Sequence, residues 1–180
     1  VEITRLNASE IPAALDDLAE LLVDVVEGGA SVGFVLPFTA SEAAAWWSSN
    51  LAGVADGRLV VLVASDGGRI VGIVQLSLAP WSNGRHRAEV NKLLVRTAWR
   101  RRGTARALMS AIEDEARQIG RWLLVLDTMR GGAAEQLYRS TGWIEVGPIP
   151  DYAAWPDGSL GSTVVYYKRL EVEQYKRLDA

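Results

Sequence analysis

Between residues 87 and 126 the chain changes its hydrophobic period twice, and that order of changes restricts the fold more than any other feature. Arg87–Val95 reads as a strand, apolar at its C-terminal end, and runs into a turn carrying Arg100, Arg101 and Arg102. From Gly103 onward Ala105, Leu108, Met109, Ile112, Ala116 and Ile119 recur at helical spacing, with Glu113, Asp114 and Arg117 off that face. Gly120 offers a helix stop, and residues 122–126 form a continuous apolar run of the length a buried strand takes. Strand, helix, strand in this order implies a crossover that lays the second strand parallel to the first, with the helix packed on the sheet. The expected fold is therefore a mixed α/β domain.

Upstream, residues 2–6 read as a short strand, followed by Ser9 as a candidate N-cap with Pro12 soon after. Ile11, Leu15, Leu18, Leu22 and Val25 mark a helix that Gly28-Gly29 ends. The small, partly apolar stretch Ala30-Ser31-Val32-Gly33-Phe34 reads as a buried or functional loop. Thr39 and Glu42 have capping-box spacing ahead of a second helix through Trp46 and Trp47. Residues 58–65 and Arg69–Leu78 flank Asp66-Gly67-Gly68, which predicts a β-hairpin. Residues 133–138 suggest a short helix, and residues 143–146 and 163–168 the last two strands. No repeat or linker interrupts residues 1–180, so a single domain is expected, with a charged tail from Glu171 that frays.

Composition removes several classes of function. With no cysteine there can be no disulfide, thiol nucleophile or thiolate metal site. His86 is the only histidine and no carboxylates are spaced like a calcium loop, so no metal is expected. A net charge of −3 argues against nucleic acid as a partner, which needs many clustered cations. No apolar run approaches the ~20 residues of a membrane span. The N-terminus also lacks a basic-then-apolar signal pattern, so the expectation is a cytoplasmic protein without a membrane partner. Oligomeric state stays open, a homodimer included.

The turn after residue 95 carries the chemistry. Backbone N–H groups at a helix N-terminus lack intrahelical partners and bear partial positive charge. Small residues such as Gly103, Thr104 and Ala105 would let a diphosphate approach them, and the arginines add charge. A solvated basic turn or a nucleic-acid patch would look similar in isolation. No P-loop and no Gly-x-Gly-x-x-Gly is present. Arg100-x-x-Gly103-x-Ala105 after a strand resembles the Gln/Arg-x-x-Gly-x-Gly/Ala motif of the Gcn5-related N-acetyltransferases, the GNAT family. Leu137-Tyr138-Arg139-Ser140-Thr141-Gly142-Trp143 resembles that family's Leu-Tyr-x-x-x-Gly-Phe segment at the expected distance. The resemblance implies a strongly curved, mixed sheet of six or seven strands with helices on both faces. It also implies acetyl-CoA as cosubstrate, with pantetheine against the backbone of Leu94 and Val95 and pyrophosphate on Arg100, Arg101, Arg102, Gly103, Thr104 and Ala105. Two central parallel strands would splay to admit it.

A closer likeness joins Gly28-Gly29-Ala30-Ser31-Val32-Gly33-Phe34, Gln75-Leu76-Ser77-Leu78, Arg87-Ala88-Glu89-Val90, Leu126-Asp127-Thr128 and Pro156-Asp157-Gly158 to a toxin-inactivating branch of that family, the tabtoxin-resistance type. It implies a small-molecule amine as partner and puts Glu89 and Asp127 at catalytic positions. Either could accept the amine's proton, and Asp127 could instead bind the substrate cation. Outside the resemblance Glu89 reads as an exposed strand residue and Asp127 as a cap. Tyr138 matches the family's general acid, and would otherwise read as a core tyrosine. The oxyanion would rest on a backbone N–H near Leu94 or Val95. Gly131 stands where many family members carry a cofactor-contacting asparagine. Ala30, Ser31, Phe34, Trp46 or Trp47, and Tyr152 with Trp155 are candidate acceptor walls. Acetylation of a protein N-terminus or lysine, and a non-catalytic acyl-CoA-binding module, remain as rivals.

Overall fold

A computed structural model describes residues 1–171, and the tail expected to fray lies, beyond Glu171, outside them. Strand β1 (Glu2–Arg5) precedes three helices, α1 (Ile11–Glu27), α2 (Ala40–Ser49) and the short α3 (Leu51–Ala55). The hairpin β2 (Leu59–Asp66) and β3 (Arg69–Leu78) follows, then β4 (Arg87–Val95), α4 (Thr104–Gln118) and β5 (Leu123–Met129). Helix α5 (Ala133–Ser140) and the hairpin β6 (Ile144–Ala154) and β7 (Leu160–Arg169) complete the described residues.

Local chemistry accounts for most of these boundaries. The Thr39 hydroxyl accepts from Glu42 N at 3.2 Å while Glu42 accepts from Thr39 N at 2.8 Å, so α2 starts on a reciprocal capping box. Helix α1 does not start on Ser9. Its N-cap is Glu10, whose carboxylate turns back to accept from Asn7 N at 2.7 Å and Asn7 Nδ2 at 2.9 Å, which holds the preceding turn instead. Asp66 pairs with Arg69, leaving Gly67 and Gly68, both at positive φ, to make the tight turn the sequence predicts.

The described strands form one sheet in the order β1-β2-β3-β4-β5-β7-β6. Only β4 and β5 run parallel, and they pair solely at Arg87↔Leu123, Ala88↔Leu124 and Glu89↔Val125. Past Glu89, β4 stays with β3 as far as Gly72↔Val95, while β5 stays with β7 as far as Met129↔Thr163. The sheet thus opens into two halves. A bulge in β4 accompanies the opening: Gln75 pairs with Asn91 and Ile73 with Leu94, and the inserted Lys92 sits at φ 49°. Such an insertion adds twist and inverts the alternation of side chains. Ala88 and Val90 accordingly pack towards α4, but Leu94, of the same parity, packs towards α1.

Each sheet face has its own core. Val60, Leu62, Val74, Leu76 and Leu124 meet Leu108, Met109 and Ile112 of α4 and Tyr138 of α5. On the other face Val61, Val63, Ile70 and Ile73 meet Ile11, Leu18, Leu22 and Val25 of α1 and Trp47 of α2. Helices therefore cover both faces, as expected. Two sequence expectations need correction. Glu113 is not on an outward face: it is 6% exposed, accepts from Lys168 Nζ at 2.8 and 2.7 Å and from Trp143 Nε1 at 3.2 Å. Strand β5 is not buried on both sides: Leu124 and Leu126 are buried in a core, whereas Leu123 and Val125 are half-buried and Asp127 lines the opening.

Candidate active site

A cleft of about 1000 Å³ occupies the gap between β4 and β5, with Glu89, Lys92, Arg100, Asp127 and Tyr138 among its walls. Cross-strand register explains who meets whom. Ser77 pairs with Glu89 and Gln75 with Asn91, so these four share the sheet face covered by α1 and α2. Glu89 also pairs with Val125, which puts Asp127, two residues on, over the same face. Tyr138 comes from the opposite face, where α5 packs with α4. The carboxylates and the phenol belong to different faces of one sheet and meet only because it splits.

The three groups differ in environment. Glu89 is accessible from the cleft, yet the protein crowds its other sides, and burial together with the Asp127 charge raises its pKa against the opposing Lys92 and Arg87. Asp127 is not a cap. Thr163 Oγ1 donates to its Oδ2 at 2.6 Å, which fixes its orientation from β7. Tyr138 is 5% exposed, and burial, then the Asp127 charge, pushes its phenol up from the ordinary tyrosine value. It therefore keeps its proton at any working pH.

The basic turn is built as the sequence suggests, with one amendment. Gly103 is the N-cap of α4 at φ 84°, a conformation that suits glycine, and Arg101 adopts φ 61° just before it. Arg100 lines the cleft and donates from Nε to Val95 O at 3.3 Å, whereas Arg102 lies over the Trp99 ring at 5.8 Å. Thr104 is the amendment: its side chain is buried against Gly72, so only its backbone N–H is left to serve an anion. Leu94 is likewise a core side chain and could meet a ligand only through its backbone, while Val95 is half-buried and Ala105 half-exposed at the first turn of α4. Buried Arg96 anchors the turn, donating from Nε to Ile70 O at 2.8 Å and pairing with Asp17 of α1 at 3.1 Å.

These features fit acetyl-CoA. The β4 edge past Glu89 has no β5 partner, so its backbone is free to pair with pantetheine, and the α4 amides beside Arg100 suit a pyrophosphate. At Gly131 the backbone N–H donates to Glu135 Oε1 at 2.6 Å, and no side chain projects there to reach a cofactor. Among the described residues no cluster of three or more His, Asp or Glu could hold a metal, and no helix is long and apolar enough to cross a membrane.

Residues 15–143 match the model of the acetyltransferase (GNAT) family. The chain belongs to that family. It is an acetyl-CoA-dependent N-acetyltransferase, and its fold agrees with solved members. One is ribosomal-protein-alanine N-acetyltransferase of Brucella melitensis, 24% identical, covering 94% of this chain and 100% of that one at a TM-score of 0.75. An N-acetyltransferase of Staphylococcus aureus Mu50 is 17% identical over 94% of this chain and 98% of its own, TM-score 0.77. yncA of Salmonella typhimurium, solved with its cofactor acetyl-CoA, is 20% identical over 96% and 95%, TM-score 0.74.

Of the residues expected to wall an acceptor, Ala30, Ser31, Trp46, Tyr152 and Trp155 all line this GNAT cleft. Phe34 stands behind them, its ring 4.4 Å from Phe38 and 5.6 Å from Trp46. Trp47 does not contribute: it is fully buried and donates to Leu18 O at 3.2 Å. Lys92 and Asn91 were not singled out from the sequence, and Gln75 entered only within the Gln75–Leu78 resemblance, without a role. A lysine in the alternating Glu89–Val95 run reads as one more strand residue, and only the bulge turns it inward.

Proposed function

We propose that this enzyme passes acetyl directly from acetyl-CoA to the amine of a small molecule, with Glu89 as base, Asp127 as the anchor for the acceptor's ammonium and Tyr138 as proton donor. The observation that carries this reading is the meeting of two sheet faces in one gap. An acceptor lying on the α1–α2 face has Glu89 beside it, and a thioester entering from the α4–α5 face has Tyr138 beside its sulfur. Acetyl-CoA supplies the activated acyl group. Glu89, whose raised pKa brings it closer to neutrality, takes the proton from the attacking amine. The carbonyl oxygen is held by a backbone N–H of the unpaired β4 edge towards Leu94 and Val95, just beyond the stretch to Leu93 that lines the cleft.

The C–S bond then breaks and the thiolate takes the Tyr138 proton. The raised phenol pKa makes Tyr138 a weak acid at rest, so transfer follows charge building on sulfur rather than preceding it. No cysteine is present to form an acyl-enzyme, which favours a ternary complex.

A small acceptor is favoured by a tie between two loops that contribute to the cleft wall. Leu36 N donates to Pro156 O at 2.8 Å, joining the α1–α2 loop to the β6–β7 turn. A peptide acceptor, as the Brucella protein's name implies for that enzyme, would need this end open. The tabtoxin-resistance resemblance extends the reading to a toxin or antibiotic amine. A thiol-release screen over β-lactam dipeptides, aminoglycosides, polyamines and peptides tests it. Turnover confined to peptides would overturn the small-molecule assignment. Tyr138→Phe should lower kcat on the order of 10²–10⁴-fold while acetyl-CoA affinity stays near wild type, and normal turnover would remove Tyr138 from the mechanism.

A further inference from the structure

Opposite the thioester entrance, the cleft floor holds polar groups that the transfer chemistry does not use. The α1–α2 face of the sheet is apolar through Leu59, Val61, Val63 and Ile73, then becomes polar at Gln75, Ser77, Glu89 and Asn91. Gln75 is 3% exposed, and its Nε2 donor has no partner among the described residues. Asn91 donates to Ser77 Oγ at 3.0 Å, but its Oδ1 is buried without a donor. Leaving a buried polar atom unpaired costs on the order of 1–3 kcal/mol, and both line the cleft.

Beside them, the bulge sends the Lys92 ammonium across the cleft to lie 5.3 Å from the Trp46 ring and 5.8 Å from the Phe34 ring. It has no carboxylate within ion-pair distance among the described residues, although Glu89 and Asp127 are near enough to favour its charge. Burial works against that charge. A cation kept in a cleft at such cost, on two rings and unpaired, is placed to meet an anion.

We infer that Lys92 is a specificity-determining residue, binding a carboxylate carried by the acceptor while Gln75 and Asn91 hydrogen-bond the polar group between that carboxylate and the amine. The preferred acceptor is then zwitterionic, an amino-acid-like or peptide-like small molecule. Polycations such as polyamines would set an ammonium against Lys92. The inference rests on the small-molecule reading of the same site, and adds a requirement that this reading does not make.

The test compares acceptors as free acids and as carboxamides, for example glycylglycine against glycylglycinamide, in the thiol-release assay and by calorimetric titration into the CoA complex. Wild-type enzyme should favour the acid on the order of tenfold or more in kcat/KM or Kd. In Lys92→Met the ratio of acid to amide should collapse towards one, with acetyl-CoA affinity reporting that the variant is folded. Gln75→Leu should weaken both acceptor forms alike, since it removes a neutral hydrogen bond. Equal handling of acid and amide by wild-type enzyme, in both assays, overturns the Lys92 assignment while leaving small-amine acetylation intact. Acetylation of protein N-termini and long peptides alone, with no turnover of dipeptides or other small amines, overturns the parent reading first. An acid preference that survives in Lys92→Met also overturns the assignment.

Discussion

Glu89 and Asp127 are both carboxylates at the rim of one gap, but their surroundings differ, and the proposed mechanism assigns them different work on that ground. Asp127 accepts a 2.6 Å hydrogen bond from Thr163, which holds its carboxylate in place from β7. Among the described residues Glu89 has no such donor, and burial and the Asp127 charge both favour its protonated form. A base with a raised pKa loses activity as pH falls through that value, at a higher pH than an ordinary carboxylate would. Asp127→Asn should therefore move the acidic limb of the kcat/KM profile to lower pH, since one source of the upward shift is removed while Thr163 can still donate. An unmoved limb would show that Glu89 is not the group being titrated.

Among the elements, α2 and α4 illustrate two ways of fixing a helix. Helix α2 is fixed locally by Thr39 and Glu42, and that pattern is legible in the sequence because both partners lie within one turn. Helix α4 is fixed remotely: Glu113 binds Lys168, whose Nζ also donates to Thr141 O at 2.7 Å, at the C-terminal end of the helix that carries Tyr138. Thr39→Ala should cost about 1 kcal/mol. Glu113→Ala should cost roughly 2–3 kcal/mol, because the half-buried Lys168 loses its carboxylate partner with part of its hydration already gone. Chemical denaturation of both variants would check the order, and an equal or reversed cost would mean that the buried pair contributes little.

Taken as a whole, the molecule is two half-sheets hinged at the three-residue parallel pairing of β4 and β5. Backbone that would be laddered in a closed sheet is instead left for a ligand, so the cofactor should complete the fold energetically. At about 100 times its Kd, acetyl-CoA adds ~2.7 kcal/mol, which for a chain of this size raises Tm by roughly 5–10 °C. Hydrogen exchange should slow at residues 90–95 in the same titration. Arg100→Ala combined with Gly103→Glu should abolish both effects, and retention of either would argue against the turn as the anion site.

The βαβ crossover, the hairpin at Asp66-Gly67-Gly68, the α2 cap and the Arg100-to-Ala105 turn were legible because each depends on residues close in the chain. The resemblance carried by that turn and by Tyr138 extended the reading to acetyl transfer. Whether β4 and β5 stay paired was not legible, nor was the side of the sheet on which each carboxylate lies. Those depend on register between strands separated by a helix, and on a bulge that a single lysine marks only through its backbone angle. Lys92 could be placed in the cleft only by that tertiary geometry, since a one-residue insertion reverses which face every later side chain meets. The local code determined the elements and the basic turn, and the long-range pairing decided which polar groups share the gap.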